Sequence, residues 1–529
     1  MTRSDGPFAA GVFRLCRALC RVVIPGLPLL ALALPVTPAQ AAGDPAGASQ
    51  AQALHVLNRL AFGPAPGDLA HVEKIGVQAY IEEQLHPERL PLPPGLARRL
   101  AALQTLEMTP SALIADYGPP PPGPDGKRDI AALKAQRQRS RIILDQAVAA
   151  RLLRAVESPR QLQEVMVDFW YNHFNVYAHK GLDHLWIGAY EAEAIRPHAL
   201  GHFRDLLEAT ARHPAMLFYL DNWQNTAPDS PGARGRFKGI NENYAREVME
   251  LHTLGVNGGY SQADVIALAH IMTGWGLAPR RAAAAGQPMF RFYPRRHDEG
   301  TQSFLGHDME GQGVAEGEAA LDLLARAPAT AHHIAFELAQ YFVADQPPAA
   351  LVDRLASRFL ATDGDIRAVL ETLFRSPEFW AGAAMNSKFK TPYRFVVSAV
   401  RASGLPLDNV RPLAGTLYQL GEPLYGCQTP DGYKNTAQAW LDAGAMTQRL
   451  SFATRLGAGR LPLDRAIAPD GTPEAPAPEA MVRPEPLSVA ALQATLGGMI
   501  APATLQVAAD EPLPLRAGLI LGAPEFMRY

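Results

Sequence analysis

The sequence predicts a mainly α-helical protein, a large body of many helices joined by proline- and glycine-rich loops with at most short β-hairpins. Apolar residues recur at helical spacing in stretches such as 331–343 and 366–374, and alternating runs typical of strands are sparse. Hydrophobic residues make up 48% of the 529 residues and charged residues 19%, which permits a large core and excludes global disorder. The 44 glycines and 46 prolines indicate many loops between helices.

The first 41 residues have the pattern of a signal peptide. Four arginines precede an apolar stretch at residues 22–36, and the small-x-small sequence Ala-Gln-Ala follows at 39–41. The apolar stretch is shorter than the roughly 20 residues that a membrane-spanning helix needs. We therefore expect cleavage after Ala41 and a periplasmic or secreted protein without an integral membrane span. The alternative is an uncleaved membrane anchor.

The net charge and the cysteine content argue against nucleic-acid binding and against a disulfide in the mature chain. Removing residues 1–41 takes away four arginines and one aspartate, and leaves 45 basic and 51 acidic residues, a net charge of −6. This balance argues against nucleic-acid binding, which needs a concentrated positive surface. Cys16 and Cys20 lie in the signal region, so the mature chain has no intrachain disulfide, and Cys427 is expected to be buried and inert.

Residues 42–529 are expected to form one helical domain. The stretch 53–85 reads as two short helices around a turn, with Asp68 as an N-cap, and 130–156 reads as one long helix. Composition indicates loops near three ranges, which are 117–129, 278–288 and 459–487.

Histidines cluster in the middle of the chain. Ten of the 15 lie between His173 and His307, which makes this window the candidate region for ligands or proton carriers, although chance clustering on loops is an alternative. An amphipathic helix ends near His173, where the side chain can point into a cleft. The spacing of His173, His179 and His184 does not match a zinc-binding helix. A divalent metal is therefore an open question, and a buried, hydrogen-bonded histidine is an equal alternative.

The motif at residues 241–255 combines acidic, amide and histidine side chains. If the stretch is one helix, Asn243, Arg246, Glu247 and Glu250 share a polar arc and His252 lies on the apolar face. Two carboxylates and an amide on one arc can bind a cation or perform acid–base chemistry. A solvated face with an Arg246–Glu250 pair, and a core histidine at 252, are the alternatives.

Two further motifs follow this helix. Ser261 and Asp264 form a capping-box pattern for a second helix that should run to Thr273. The helix–turn–helix form invites a DNA-binding interpretation, which the export signal and the acidic first helix disfavour. In the loop 293–300, a His297-Asp298 pair beside Arg296 can bind an anion or orient a proton carrier, unless it is an accidental surface cluster.

The chain resembles the bacterial family called domain of unknown function 1800 (DUF1800), over roughly residues 52–529. The segments that carry the resemblance are 57–64, 168–175, 241–255 with Tyr260 and 273–275, 296–306, 388–393, and 430–433 with Trp440. The resemblance implies export and a gene neighbourhood with sulfatase- or alkaline-phosphatase-like exported proteins, and it implies no settled activity. Glu299 and Gln302 depart from the family's loop, which weakens an anion-binding role there.

Two hypotheses follow for function. The first is an exported hydrolase or metal-dependent enzyme with a His/Glu-rich cleft. Its candidate catalytic residues are Glu247, Glu250, His252, His173, His297 and Asp298, and its candidate substrate-binding residues are Asn243, Arg246, Trp275 and Arg296. The second is a non-catalytic helical scaffold that binds a polysaccharide or a sulfatase-like partner. Tryptophans 170, 186, 223 and 275 suit sugar stacking, although core packing is their commoner use. Convergence of the carboxylates and histidines in one pocket would favour the enzyme.

Overall fold

Helices make up most of the described chain. The computed structural model describes residues 45–123, 125–465 and 485–529, so the predicted signal peptide lies outside the described residues. Residues Pro45–Tyr529 form one unit, and none of its described helices is both long and apolar enough to cross a bilayer. The described α-helices are α1 Pro45–Arg59, α2 Asp68–Ile75, α3 Val77–Leu85, α4 Pro94–Ala101, α5 Pro110–Tyr117, α6 Ile130–Glu157, α7 Gln161–His173, α8 Ile187–Ala189, α9 Phe203–Arg212, α10 Pro214–Tyr219, α11 Asn243–Glu250, α12 Gln262–Ile271, α13 Arg280–Ala284, α14 Val314–Arg326, α15 Pro328–Phe342, α16 Ala349–Ala361, α17 Ile366–Phe374, α18 Pro377–Trp380, α19 Pro392–Ser403, α20 Arg411–Gln419, α21 Ala437–Trp440, α22 Ala443–Gly457, α23 Val489–Leu496, α24 Pro502–Asp510 and α25 Leu513–Leu521. The mainly α class predicted from the sequence is confirmed.

The strands that the structure describes form two short antiparallel pairs. In the first, β1 (Trp275–Leu277) pairs with β2 (Phe290–Phe292), with Trp275 opposite Phe292. In the second, β3 (Gln302–Phe304) and β4 (His307–Met309) form a hairpin. Its two-residue turn, Leu305-Gly306, has positive φ at both positions, as a type I′ turn requires. The expectation of short hairpins only is confirmed.

The N-terminal region contains one helix more than the sequence predicts. The stretch 53–85 holds three helices, α1, α2 and α3, because Gly76 adopts a φ of 87° and separates α2 from α3. Asp68 begins α2 rather than capping it, since Gly67 takes the N-cap position. The Asp68 carboxylate still accepts the amide N–H of Ala65, which closes the preceding turn.

The loop expectations have different outcomes along the chain. Between Tyr117 and Ile130 the described residues contain no helix or strand. Within 278–288 the structure has the five-residue helix α13, which the high helix propensity of its alanines favours. Arg280 at the start of α13 donates to the carbonyl of Ala115, which holds the short helix on α5. Most of the range 459–487 lies outside the described residues.

The helix in the motif 241–255 is shorter than predicted. It ends at Glu250, because the hydroxyl of Thr253 donates to the carbonyl of Val248 at 2.6 Å. That carbonyl is the acceptor that the amide of His252 would use if the helix continued. The amide of His252 bonds to the carbonyl of Glu247 instead. The carbonyls of His252 and Thr253 are therefore free for other donors. The next helix, α12, begins with the predicted Ser261–Asp264 capping box and ends two residues earlier than expected.

Helix α19 connects the N-terminal helices to the core. It is buried along its length, including two arginines. Arg394 donates to the carbonyls of Asn58 and Ala61, and Arg401 donates to the carbonyl of Gly63. A helix C-terminus presents unpaired carbonyls and a partial negative charge, so buried guanidinium groups stabilise the end of α1.

Candidate active site

A cleft of about 640 Å³ is bordered by α7, the turn after α11, α15, the start of α19 and the loop after α20. Its volume falls in the range typical of small-molecule sites. The charged and histidine side chains among its lining residues are Arg151, Asp168, His173, Glu250, His332, His333, Glu337, Arg394, Glu422, Asp431 and Lys434. The cleft therefore brings acidic, basic and histidine side chains together.

Glu337 lies between two histidines on one wall of this cleft. His173, the last residue of α7, places Nδ1 2.7 Å from Oε2 of Glu337. His333, one turn before Glu337 on α15, places Nε2 3.3 Å from Oε1. Each carboxylate oxygen therefore has its own imidazole. The position of His173 at the end of its helix agrees with the sequence prediction.

The remaining ring nitrogens face backbone carbonyls. Nε2 of His173 lies 3.1 Å from the carbonyl oxygen of His252, and Nδ1 of His333 lies 3.0 Å from that of Thr253. A carbonyl has no proton to donate, and neither has an ionised carboxylate. This geometry assigns one imidazole to each carboxylate oxygen of Glu337 and one backbone carbonyl to the other nitrogen of each ring.

The electrostatics agree with this assignment. Although burial favours the neutral carboxyl, His173 and His333 hold the pKa of Glu337 well below its usual range. Burial disfavours a charged His333, but its hydrogen bond to Glu337 raises the pKa of the ring. Glu337 is the most exposed member of the three, with 31% of its side chain accessible against 3% for His173. A carboxylate with a lowered pKa thus faces the cleft.

His252 lies behind His173 and is neutral. Its ring centroid is 6.0 Å from that of His173, and its side chain is buried. Burial lowers the pKa of His252 well below its usual value, and the charge of His173 lowers it further. The Nε2 atom of His252 is buried without a hydrogen-bond partner in the described structure. The sequence hypothesis placed His252 in the cleft, and the structure brings it next to the cleft wall.

Acidic side chains also lie along another part of the cleft. Glu250 and Asp431 both line it. Glu247 is half-buried, and burial together with the neighbouring charges of Glu250 and Asp431 raises its pKa. Lys434 pairs with Asp431 at 2.6 Å. The two glutamates singled out from the sequence therefore lie together, and one of them reaches the cleft.

The cleft is also lined by a buried carboxyl group, that of Glu422. Burial raises the pKa of Glu422 to about 8, although the hydrogen bond from the amide of Tyr393 opposes this shift. That bond, 2.6 Å long, uses Oε2. A carboxyl group with this pKa carries its proton at neutral pH. Glu422 and Glu337 thus line one cavity with pKa values shifted in opposite directions.

An ion-pair network supports the part of the cleft that Arg151 and Asp168 line. Arg151 donates to Asp168 at 2.6 Å and lies 3.4 Å from Glu191. Glu191 projects from a π-helical segment, Tyr190–Ile195, and also accepts hydrogen bonds from Arg196 and Tyr425. Burial opposes the charge on Glu191, but the two arginines hold its pKa below the usual value. Arg151, Glu191 and Tyr425 are buried and Asp168 and Arg196 are partly exposed, so most of the network acts as a rigid support.

The loop predicted to join the site forms a separate cluster. His297 lies 3.2 Å from Glu316 with both side chains buried, and Asp298 lies 2.5 Å from Nδ1 of His270. Burial opposes a charged His297, but Glu316 raises its pKa. Neither His297 nor Asp298 is among the residues that line the cleft. The structure thus joins this loop to α12 and α14.

The predicted substrate-binding residues also lie apart from the cleft lining. Asn243 bonds to the carbonyl of Leu220, and Arg246 pairs with Glu242 at 2.8 Å rather than with Glu250. Trp275 is fully buried against Phe290. Arg296 is buried with its guanidinium 3.8 Å from the centre of the Tyr293 ring. Tryptophans 170 and 186 are also fully buried, so their role is core packing.

Metal coordination has no evident ligand set in the described part of the chain. There, no three histidine, cysteine, aspartate or glutamate side chains form a group that could hold an ion. Both ring nitrogens of His173 and of His333 face protein oxygen atoms.

Sequence reasoning overlooked Glu337, His333 and Glu422. His333 and Glu337 carry a detectable signal, because they lie four residues apart in a mostly apolar helical stretch. Ionisable side chains are rare on such a buried face unless they have a partner. Glu422 carries no such signal, because it lies in a glycine- and proline-rich loop where acidic residues are common. Cys427 is buried, as predicted, and its thiol points to Thr429.

Together these observations define an α-helical protein with a cleft built around a histidine-clamped carboxylate. The chain belongs to the family described as "Protein of unknown function (DUF1800)", whose match covers residues 55–528. The resemblance noted from the motifs is thereby confirmed over nearly the whole chain. No curated protein and no solved structure matches it.

Proposed function

We propose that this protein is an exported hydrolase that cleaves a glycosidic bond in the cleft. The observation that carries the proposal is that Glu337 and Glu422 line one cavity while their surroundings shift their pKa values in opposite directions, downward for Glu337 and upward for Glu422. Two carboxyl groups whose environments separate their pKa values are the arrangement that acid-assisted glycoside cleavage requires. The sequence hypothesis assigned this chemistry to Glu247 or Glu250, and the proposal transfers it to Glu337 and Glu422.

The two groups have different tasks. Protonated Glu422 donates its proton to the leaving-group oxygen as the glycosidic bond breaks. Ionised Glu337 stabilises the positive charge that develops on the sugar ring, and it attacks the anomeric carbon if the reaction retains configuration. His173 and His333 are positioning residues, since each fixes one carboxylate oxygen of Glu337. Water then completes the hydrolysis.

The lining of the cleft suits a sugar. Besides charged groups it includes Asn435, Gln340, Tyr433 and Phe336, which offer amide and hydroxyl partners beside aromatic surface. Sugars present hydroxyl groups at their edges and C–H groups on their faces, so mixed polar and aromatic walls favour them. A cleft of about 640 Å³ has room for one or two sugar units.

The proposal includes a location in the periplasm or outside the cell. The N-terminal pattern supports a mature protein that begins near Ala42 in the periplasm or outside the cell. A polysaccharide in that compartment is the proposed substrate. The family resemblance supports a sulfatase-like exported protein as a companion that acts on the same polymer.

The test uses the mature chain, residues 42–529. Purified protein should release reducing ends from at least one member of a panel of polysaccharides and aryl glycosides. Glu337→Ala should abolish turnover, and sodium azide should restore it in part, because a small anion can occupy the place of the lost carboxylate. Glu422→Gln should lose turnover on substrates with poor leaving groups and retain it on activated aryl glycosides.

The matched control is Glu310→Gln, an exposed glutamate outside the cleft lining. It should leave turnover unchanged. Polysaccharide binding without any cleavage would contradict the proposal and favour the non-catalytic scaffold. Full activity in Glu337→Ala would contradict the assigned roles.

A further inference from the structure

Arginines and aromatic rings alternate on a surface formed by residues 223–238 and 291–296. The guanidinium of Arg236 lies 4.7 Å from the Trp223 ring and 5.4 Å from the Phe237 ring. Arg296 lies 4.5 Å from the Phe237 ring and 3.8 Å from the Tyr293 ring. The series continues with Arg291, 5.2 Å from Tyr293. We call this series the arginine–aromatic ladder.

Backbone hydrogen bonds hold the two segments of the ladder together. The amide of Gly232 donates to the carbonyl of Arg295 at 2.7 Å, and the amide of Ala227 donates to the carbonyl of Arg296 at 2.8 Å. A Cβ atom at Gly232 would lie 2.5 Å from the Arg295 carbonyl, so the close approach requires glycine. The ladder is thus a built feature of two joined loops.

The ladder has a large excess of positive charge. Its two segments contain six cations, Arg234, Arg236, Lys238, Arg291, Arg295 and Arg296, and one acid, Asp229. Five of the six cations are exposed, and Arg296 is buried. Within the described chain, none of the six is paired with a carboxylate in an ion pair. In a protein of net charge −3, such a concentration attracts a polyanion.

We infer that the arginine–aromatic ladder binds an acidic polysaccharide through its carboxylate groups. Contact with the rings restricts the exposed guanidinium groups of Arg236 and Arg291, so their N–H groups are preorganised for the two oxygens of a carboxylate. A linear polyuronate presents such groups at regular intervals. The inference concerns binding at this surface and stands independently of catalysis in the cleft.

Single-stranded nucleic acid fits the ladder less well. Base recognition on a charged surface uses open aromatic faces on which bases stack. Here Trp223 already has Phe218 stacked against it at 5.6 Å and Arg236 over it. The rings of Phe237 and Tyr293 each have two guanidinium groups over them. The arginine edges, rather than the rings, are the groups available to a ligand.

The experiment compares binding of polygalacturonate by the full mature chain and a triple variant, Arg236→Gln/Arg291→Gln/Arg295→Gln. We expect the variant to bind about tenfold or more weakly at physiological salt, since three charge-assisted contacts are lost. The charge-matched control is Arg128→Gln/Lys134→Gln/Arg137→Gln, which removes three exposed cations beside and on α6, outside the two segments of the ladder. This control should retain the wild-type affinity, and neutral dextran should bind neither protein.

Three results would overturn the inference. One is an equal loss of affinity in both triple variants, which would show only a net-charge effect. Another is tighter binding of single-stranded DNA than of polygalacturonate through the same three arginines. The third is retention of polygalacturonate affinity in the ladder variant. Circular dichroism and thermal unfolding of each variant verify that the fold is intact.

Discussion

The Nδ1 atom of His173 lies 2.7 Å from Oε2 of Glu337, although 164 residues separate the two in the chain. The contact joins the end of α7 to the middle of α15. It exists because α11 ends early and leaves the carbonyls of His252 and Thr253 free to accept hydrogen bonds from His173 and His333. The end of α11 thereby supplies one backbone acceptor to each of the two histidines beside Glu337.

The first prediction concerns stability against pH. His333 has a pKa raised above its usual 6.5, so its contribution is complete below that pH and is lost as pH rises through the folded value. Glu337 has a pKa lowered below its usual 4.5, so its contribution is lost as pH falls through the folded value. Glu337→Gln should therefore lower the free energy of unfolding most between pH 4.5 and 6.5, by about 3 kcal/mol.

Urea denaturation at pH 5.5 and pH 9 measures this difference. The penalty of Glu337→Gln should decrease at high pH, because His333 loses its charge as pH rises through its folded pKa. Glu310→Gln serves as the control and should leave the free energy of unfolding unchanged at both pH values. A penalty that is equal at both would show that Glu337 is not held by charged histidines.

The second prediction concerns the buried network at Arg151. Arg151→Met removes a positive charge that compensates the negative charges of Glu191 and Asp168. It should lower the free energy of unfolding by about 3–5 kcal/mol. The double variant Arg151→Met/Glu191→Gln should be less destabilised than the sum of the two single variants. Denaturant titration of the four proteins completes the cycle. Additive effects would mean that the two side chains do not interact.

The third prediction compares two helical glycines. A Cβ atom at Gly317, on α14, would lie 2.5 Å from the indole of Trp275, whereas one at Gly415, on α20, would meet nothing within 4 Å. Gly317→Ala should destabilise the fold by about 1–3 kcal/mol through overpacking. Gly415→Ala should stabilise it by about 0.5–1 kcal/mol through helix propensity. Thermal unfolding measures both, and the same sign for the two variants would contradict the packing at Trp275.

The fourth prediction concerns export. Expressed with its complete N-terminus in a Gram-negative host, the protein should appear in the periplasm or the medium with an N-terminus near Ala42. N-terminal sequencing of the soluble protein measures this. A variant with Ala39→Leu and Ala41→Leu should accumulate uncleaved, because signal peptidase requires small residues there. Recovery of intact Met1 from the membrane fraction of wild type would favour the anchor instead.

Local features were predictable where short-range physics decides them. The periodicity of apolar residues identified α6 and α7, and the Ser261–Asp264 pattern identified the capping box of α12. Both depend on contacts within four residues of the chain. The end of α11 escaped prediction, because a single hydroxyl of Thr253 competes with the backbone for the Val248 carbonyl. Propensity does not distinguish that bond from a continued helix.

The sequence by itself determined the helical class, the positions of several helices such as α6, α7 and α12, the family and the placement of His173 at a helix end. Only the tertiary structure decided which polar groups meet. It paired His173 with Glu337 rather than with Glu250, and it placed His297 beside Glu316. Such partners are chosen by packing of distant helices, since a buried charge must find its counter-charge wherever the fold brings one. The spacing of residues along the chain does not indicate which of these side chains will pair.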